Sequence, residues 1–297
     1  MNRTLGHTLG TPKHSLEDAL RLFHESGLDG AELIWLDDYP SAIPESDDGS
    51  AVAKVRALTR QLGLVVGCLT PYPSDFNSLD EDLRQRDLRR MKRCIDTASD
   101  LECHRMRVYG GSFSTDEHRA NRGAMWARLV DSLGELGTYA GQRGVVLCVE
   151  NHFSTMTESA VETVALMEAV NLDAVGILYD QANLTFTHNE EPAEAIDIQK
   201  AWIRHVHVKD LEFIDPNRRL STSAVSHIQD EDRVHYSRMI GDGVLDWGDI
   251  IGRLDAVGYE GFYSLEYEYR WNPDDLPPPE QGFPESARRL REAILGG

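Results

Sequence analysis

The sequence predicts a single (β/α)8 TIM barrel with parallel strands, and three observations carry that prediction. Short apolar runs alternate with longer amphipathic or charged segments along the chain. Eight such runs occur, each followed by a helical candidate, which is the pattern of a closed parallel barrel. No glycine-rich phosphate loop follows an early run, as an open doubly wound sheet would present. The runs cover residues 3–10, 31–36, 64–69, 106–109, 145–149, 175–179, 203–208 and 262–267. Helices are expected over residues 15–26, 49–62, 79–99, 122–140, 157–169, 193–201, 247–256 and 284–294. The first opens on Ser15 with Asp18 three residues on, a capping box, and Gly27, Gly63 and Gly144 stand where helices give way to strands. Residues 25–33 faintly echo residues 256–266, each a glycine turn leading into a strand that bears a glutamate. No domain boundary is visible, so residues 1–297 read as one domain, with the proline-rich stretch 273–284 as a late loop.

Composition narrows the function classes. At 297 residues, 41% hydrophobic and 27% charged, the chain buries a sizeable core. Its formal charge of −20 argues against nucleic acid or an anionic membrane as a partner, because both would repel it. Cys68, Cys94, Cys103 and Cys148 have no C-x-x-C spacing and read as buried free thiols. The N-terminal residues lack the apolar run of a signal peptide, and no stretch of about 18 apolar residues occurs, so a cytoplasmic setting is expected.

Side chains alternate across a strand, so parity shows which residues share a face. Val146, Cys148 and Glu150 share one parity in the fifth run, and Gly176, Leu178 and Asp180 in the sixth. His205, His207 and Lys209 alternate against Val206 and Val208, and Ser264, Glu266 and Glu268 against Tyr263, Leu265 and Tyr267. Four successive strands thus carry acid or imidazole at their C-terminal ends, where a barrel has its active-site mouth. Three carboxylates buried together raise one another's pKa values unless something pairs them, and a divalent cation does so. The expected ligand set is Glu150, Asp180, His207 and Glu266. Glu268 shares the parity of Glu266, which is preferred because it lies nearer the apolar run. Three oxygens and one imidazole suit Mn2+, with Mg2+ or Co2+ as alternatives and Zn2+ less favoured.

These residues resemble the xylose isomerase-like superfamily of TIM-barrel sugar isomerases, epimerases and dehydratases. The segments that carry the resemblance are Val149-Glu150-Asn151-His152, Leu178-Tyr179-Asp180-Gln181-Ala182-Asn183 and His205-Val206-His207-Val208-Lys209-Asp210. To these are added Gly241-Asp242-Gly243-Val244-Leu245-Asp246-Trp247 and the stretch from Gly258 to Glu266. The family's Glu–Asp–His–Glu metal site maps onto the four residues that parity selects. The resemblance implies a sugar or polyol substrate whose adjacent oxygens meet one divalent metal ion, and proton transfer through a metal-stabilised enediolate. An isomerase or epimerase of a ketose or keto-sugar is the leading expectation. The alternative is a lyase beginning with the same enolisation, either a keto-polyol dehydratase or a 3-oxo-C-glycoside deglycosidase with His152 as base. It further implies a homo-oligomer, joined by a small second subunit in the deglycosidase case. The chain departs from ketose 3-epimerases of the superfamily, which carry His where it has Asn183 and Arg where it has Phe213.

Catalytic candidates are therefore Glu150, His152, Lys209 and Glu266. His152 titrates near the working pH when unperturbed, and Lys209 suits a substrate oxygen or developing oxyanion. Asn151 and Asn183 both donate and accept, as hydroxyl recognition requires. Residues 211–243 lack apolar periodicity and read as a lid over the mouth. Within the lid Arg218, Arg219, Arg233, His235 and Arg238 are candidate anion contacts, Arg238 being taken as a substrate-binding residue. Loops 35–39 and 71–77 hold aromatic residues placed to stack on a sugar ring. His7 and Arg107 read as hydrogen-bonding residues inside the barrel.

Overall fold

The computed structural model describes residues 3–220, 225 and 228–296. Among these the strands are β1 (Thr4–His7), β2 (Gly30–Trp35), β3 (Val65–Pro71), β4 (Arg105–Val108), β5 (Val146–Glu150), β6 (Val175–Asp180), β7 (Ile203–Val208), β8 (Asp210–Phe213), β9 (His235–Arg238) and β10 (Tyr263–Leu265). β1 to β7 and β10 close into a parallel barrel, with β10 hydrogen-bonded between β7 and β1. The helices are α1 (Leu16–Glu25), α2 (Ser50–Leu62), α3 (Glu81–Asp100), α4 (Asp116–Ala120), α5 (Arg122–Gly141), α6 (Ala160–Val170), α7 (Gln181–His188), α8 (Pro192–Gln199), α9 (Trp247–Ala256) and α10 (Pro279–Gly296). None of them is long and apolar enough to cross a membrane.

Local chemistry sets the element ends. Ser15 Oγ accepts the Asp18 N–H at 3.1 Å to start α1, and Ser159 and Asp246 cap α6 and α9 in the same way. α2 stops at Gly63, whose φ of 70° is a left-handed conformation that glycine adopts without a Cβ clash. Leu147, Val149, Ile177, Tyr179, Val206, Val208, Tyr263 and Leu265 join the apolar layer between barrel and helices. Each fully buried aliphatic side chain there stabilises the fold by about 1.5–3 kcal/mol. The alternate residues, Cys148, Glu150, Asp180, His205, His207 and Ser264, are outside that layer and buried.

Five elements differ from the sequence expectation, the short α4 among them. Within the stretch 211–243, where residues 221–224, 226 and 227 lie outside the described residues, β8 and β9 form an antiparallel ladder pairing Leu211 with Ser237 and Phe213 with His235. Its four-residue strands mix polar and apolar residues, so no apolar run announces them. α7 was not foreseen because residues Gln181 to Thr187 are all buried, which leaves no polar face to create a helical period. α10 starts at Pro279 and takes Pro284 inside it, where the proline-rich stretch suggested a loop.

Candidate metal centre and active site

Glu150 and Asp180 are the last residues of β5 and β6, His207 lies one residue before the end of β7, and Glu266 directly follows β10. All four are buried, and their ligand atoms lie within 4.8 Å of one another. His207 sits at the centre. Its Nδ1 is 3.1 Å from Glu150 Oε1, 3.4 Å from Glu266 Oε2 and 3.8 Å from Asp180 Oδ2. Strand pairing sets Glu150 opposite Leu178, Asp180 opposite His207 and His207 opposite Ser264, past a bulge between Ile177 and Leu178, and so brings these four side chains to one mouth.

The arrangement fits a divalent ion. Asp180 Oδ1 caps α7 by accepting the Asn183 N–H at 2.9 Å, which leaves Oδ2 buried with no hydrogen bond. Lys209 Nζ lies 3.0 Å from that oxygen as an ion-pair neighbour. Glu150 has one oxygen gripped by Arg107 at 2.6 Å and the other turned to His207. Three carboxylate oxygens and one imidazole nitrogen thus converge, a donor set for a hard or borderline cation.

The electrostatics follow from burial and pairing. Burial pushes Glu150 up, but Arg107, His152 and His207 outweigh it and hold the carboxyl at about 2. Glu266 is likewise pressed upward by burial and drawn well below the usual range by His207 and Lys209. Burial opposes the charge on Lys209, yet Asp180, Glu266 and Glu268 raise its pKa well above the ordinary value. Glu268 does not join the four donors. Its oxygens lie 3.5 Å from Lys209 Nζ and 2.8 Å from Ser237 Oγ, and burial raises its pKa.

Lys209 is fixed from behind. Trp247 Nε1–H donates to its carbonyl at 3.1 Å. The neighbouring Asp210 carboxylate accepts four backbone N–H groups, from Leu211, Gly241, Gly243 and Leu245. A Cβ on Gly243 would stand 2.2 Å from Asp210 Oδ1, so only glycine permits this approach. The Gly241–Trp247 segment therefore braces the end of β7.

Above the candidate donors opens a small cavity of about 50 Å3, lined by Tyr72, Arg107, Tyr109, His152, Lys209 and Glu266 among others. His152 Nδ1 is 2.8 Å from the Phe153 carbonyl, so it carries the proton and Nε2 is left with a lone pair. Burial, against the pull of Glu150, lowers its pKa to about 4. The loop that holds it is tied down by Thr155 Oγ1 to the His152 carbonyl at 2.6 Å and by the His152 N–H to the Thr157 carbonyl at 3.2 Å.

Other expected contacts lie elsewhere. Asn151 Nδ2 donates to Thr163 Oγ1 at 2.9 Å and Gln199 Oε1 at 2.8 Å, which commits it to the protein rather than to a ligand. Asn183 Nδ2 donates to the Asn151 carbonyl at 2.8 Å, with Oδ1 buried and unpartnered. Arg238 is not among the residues lining this cavity: it pairs with Glu212 at 2.7 Å and packs on Tyr236. Arg218 and Arg219 are absent from its lining as well, whereas Arg233 and His235 take part in it. Arg233 is paired with Asp275, and His235 stacks on Phe186 with ring centres 4.4 Å apart. Of the two aromatic loops only Tyr72 reaches the cavity, and Trp35 is buried in the core.

Sequence reasoning missed two groups. Arg107, expected as an internal hydrogen-bonding residue, is that and also lines the cavity, its guanidinium 3.5 Å from the Tyr109 ring centre. Glu32, on β2, lies 3.1 Å from His207 Nε2 and was passed over although it occupies the parity opposite to the apolar Ala31, Leu33 and Trp35. The signal was present as a lone glutamate within an apolar run.

The profile of the family described as xylose isomerase-like TIM barrel matches residues 20–293. An inosose dehydratase of Geobacillus thermodenitrificans is 32% identical over 143 residues, 48% of this chain and 47% of that protein. The chain thus spans about half the length of the curated relatives it matches. Among solved structures, D-psicose 3-epimerase in the presence of D-fructose superposes with a TM-score of 0.77 at 16% identity, covering 99% of this chain and all (100%) of that one. A xylose isomerase-like TIM barrel protein from Mycobacterium smegmatis in complex with magnesium gives 0.73 at 18% identity, covering 98% and 97%. At such identities the likeness is one of fold.

Proposed function

The chain belongs to the xylose isomerase-like TIM barrel family, and we propose that it is a divalent-metal-dependent lyase that dehydrates a cyclic keto-polyol or keto-sugar. The observation that carries this reading is the imbalance of bases at the cavity. Glu150 and Glu266 are each tied to a permanent cation, Arg107 at 2.6 Å and Lys209 at 2.7 Å. His152 is neutral, with Nε2 free of the hydrogen bond that occupies Nδ1. One available base suits removal of a C–H proton followed by loss of a leaving group, because epimerisation needs a second base on the opposite face. The likeness to an inosose dehydratase over half the chain supports the same reaction class.

Glu150, Asp180, His207 and Glu266 would hold the ion, with Mn2+ or Mg2+ suiting the donor set better than Zn2+. When bound, such an ion supplies Lewis-acid polarisation of a carbonyl oxygen. The protein supplies the rest. His152 Nε2 takes the proton beside the carbonyl, and the C–H electron pair becomes the new C=C bond. The β-hydroxyl leaves with its bonding pair and is discharged as water by the proton His152 has collected. The Lys209 ammonium donates to a substrate oxygen and balances the negative charge that develops there. The Tyr72, Tyr109 and Trp271 rings in the cavity wall offer stacking faces to the substrate ring.

A second reading, proton-transfer isomerase or epimerase, draws on Glu150 and Glu266 both reaching His207, since a carboxylate pair is what a two-base mechanism uses. Incubating keto-inositols and 3-keto-sugars with the Mn2+-loaded protein in D2O separates the two. Loss of water with formation of an unsaturated or diketone product is expected. Deuterium uptake into an epimer or isomer without water loss would establish the second reading instead.

A further inference from the structure

Beneath the donor set lies a second buried polar layer centred on Glu32. Its Oε1 accepts from the Thr70 hydroxyl at 2.5 Å and lies 3.1 Å from His207 Nε2. Its Oε2 lies 2.8 Å from His205 Nε2, and His7 Nε2 is 3.5 Å from Oε1. These groups come from β1, β2, β3 and β7, and each is at most 2% exposed.

The hydrogen positions in this layer can be deduced. A carboxylate only accepts, and a neutral imidazole has a single N–H. His7 Nδ1 accepts the Leu9 N–H at 2.9 Å, so its proton is on Nε2, facing Glu32. His205 Nδ1 is buried without a partner, so its proton also belongs on Nε2, against Glu32. Glu32 is thus a shared acceptor that gathers donors from several strands.

His207 is the exception, because acceptors stand at both of its nitrogens. The three carboxylates at Nδ1 draw the N–H to that side, where it would block ligation. Glu32 draws it to Nε2. We propose that Glu32 is a positioning residue that holds the His207 proton on Nε2 and so leaves the Nδ1 lone pair for the divalent ion. Thr70 and His205 fix Glu32 in turn. This rests on the reading that Glu150, Asp180, His207 and Glu266 hold the ion. Carboxylates behind metal-bound imidazoles commonly change affinity 10–100-fold when removed.

The test uses the full chain, stripped of metal and titrated with Mn2+ by electron paramagnetic resonance. Glu32→Gln keeps the shape but turns one acceptor into a donor facing His205 or His207, and Mn2+ binding is expected to weaken at least tenfold. Thr70→Val removes only the hydroxyl that orients Oε1, and a several-fold loss is expected. Long-range 1H–15N spectra of the histidine-labelled parent loaded with Mg2+ should show His207 protonated on Nε2. The proposal is overturned if both variants bind within twofold of the parent, or if His207 in the loaded parent is protonated on Nδ1. A second ion per chain would also overturn it, by putting metal where these protons belong. Should Glu32→Gln not fold, Thr70→Val and the parent spectra decide. A parent that takes up no Mn2+ defeats the metal site itself, whereas a binding parent with unaffected variants defeats only the role of Glu32.

Discussion

The two halves of the barrel contribute differently to one mouth. β5, β6, β7 and β10 bring the candidate donors Glu150, Asp180, His207 and Glu266, all at or next to strand ends. β1 to β4 bring groups that hold those donors: Arg107 grips Glu150 at 2.6 Å, and Glu32 and Thr70 stand behind His207. In the first half Arg107 and Glu32 sit within strands and are paired with protein groups, whereas in the second half Asp180 Oδ2 is buried with no hydrogen bond and has the Lys209 ammonium as its ion-pair neighbour. A ligand site and its support are therefore separable by which half is mutated. Changes in the second half should abolish binding or chemistry, and changes in the first should loosen the site.

The largest effect is expected from Glu150→Gln, which removes a donor. Mn2+ affinity should fall further than the roughly 10–100-fold that loss of a supporting residue costs, with activity lost alongside it, and full retention of the ion in a dialysed sample would remove Glu150 from the donor set. Next, His152→Gln should cut turnover of a keto-polyol by about 10²–10⁴-fold, the usual reach of a general base. Mn2+ affinity should stay within twofold of the parent, so a parallel loss of ion binding would make His152 part of the ion site and not the base. In the supporting half, Arg107→Met leaves the buried Glu150 carboxylate without its cation. Urea denaturation of the metal-free protein should show a loss of about 3–5 kcal/mol, the cost of breaking a buried pair from one side. Mn2+ should still bind, and restore part of that stability by mass action. An unchanged denaturation midpoint would make Arg107 dispensable as a support.

The smallest effect concerns the β8–β9 ladder that borders the cavity. Burial lowers His235 from 6.5 to about 3. The unfolded chain thus takes up a proton at a pH where the folded state refuses it. Stability from this residue is complete above pH 6.5 and falls as pH drops from 6.5 toward 3. His235→Phe keeps a ring on Phe186 and should flatten that part of the stability profile; an identical slope in both proteins would show that His235 does not drive it.

The same division explains what the sequence revealed. All eight barrel strands were legible because each is an apolar run of ordinary length, and the clustering of the four candidate donors because parity and strand-end position coincide in four successive runs. Glu32 obeys the same parity but stands alone in its strand with no neighbouring strand end to corroborate it, so nothing marked it as part of the site. Arg107 was read as an internal hydrogen-bonding residue, and its pairing with Glu150 depends on a contact 43 residues away. Asn151 and Asn183 have the chemistry of sugar recognition, yet their amide N–H groups go to Thr163, Gln199 and the Asn151 carbonyl, partners that composition does not reveal, and only Asn183 Oδ1 is left unpartnered. Arg238 follows the same lesson on the surface, where Glu212 across the β8–β9 ladder claims it. Strand ends are legible one strand at a time; the groups that saturate or support a side chain are set by the closure of the barrel.

The most direct measurement is anomalous diffraction from crystals of the Mn2+-loaded protein. One peak is predicted, within bonding distance of the Glu150, Asp180 and Glu266 carboxylates and of His207 Nδ1, with His207 Nε2 still facing Glu32. A loaded crystal with no peak among these four residues, or with its manganese bound elsewhere, would contradict the assignment of the mouth as a metal centre.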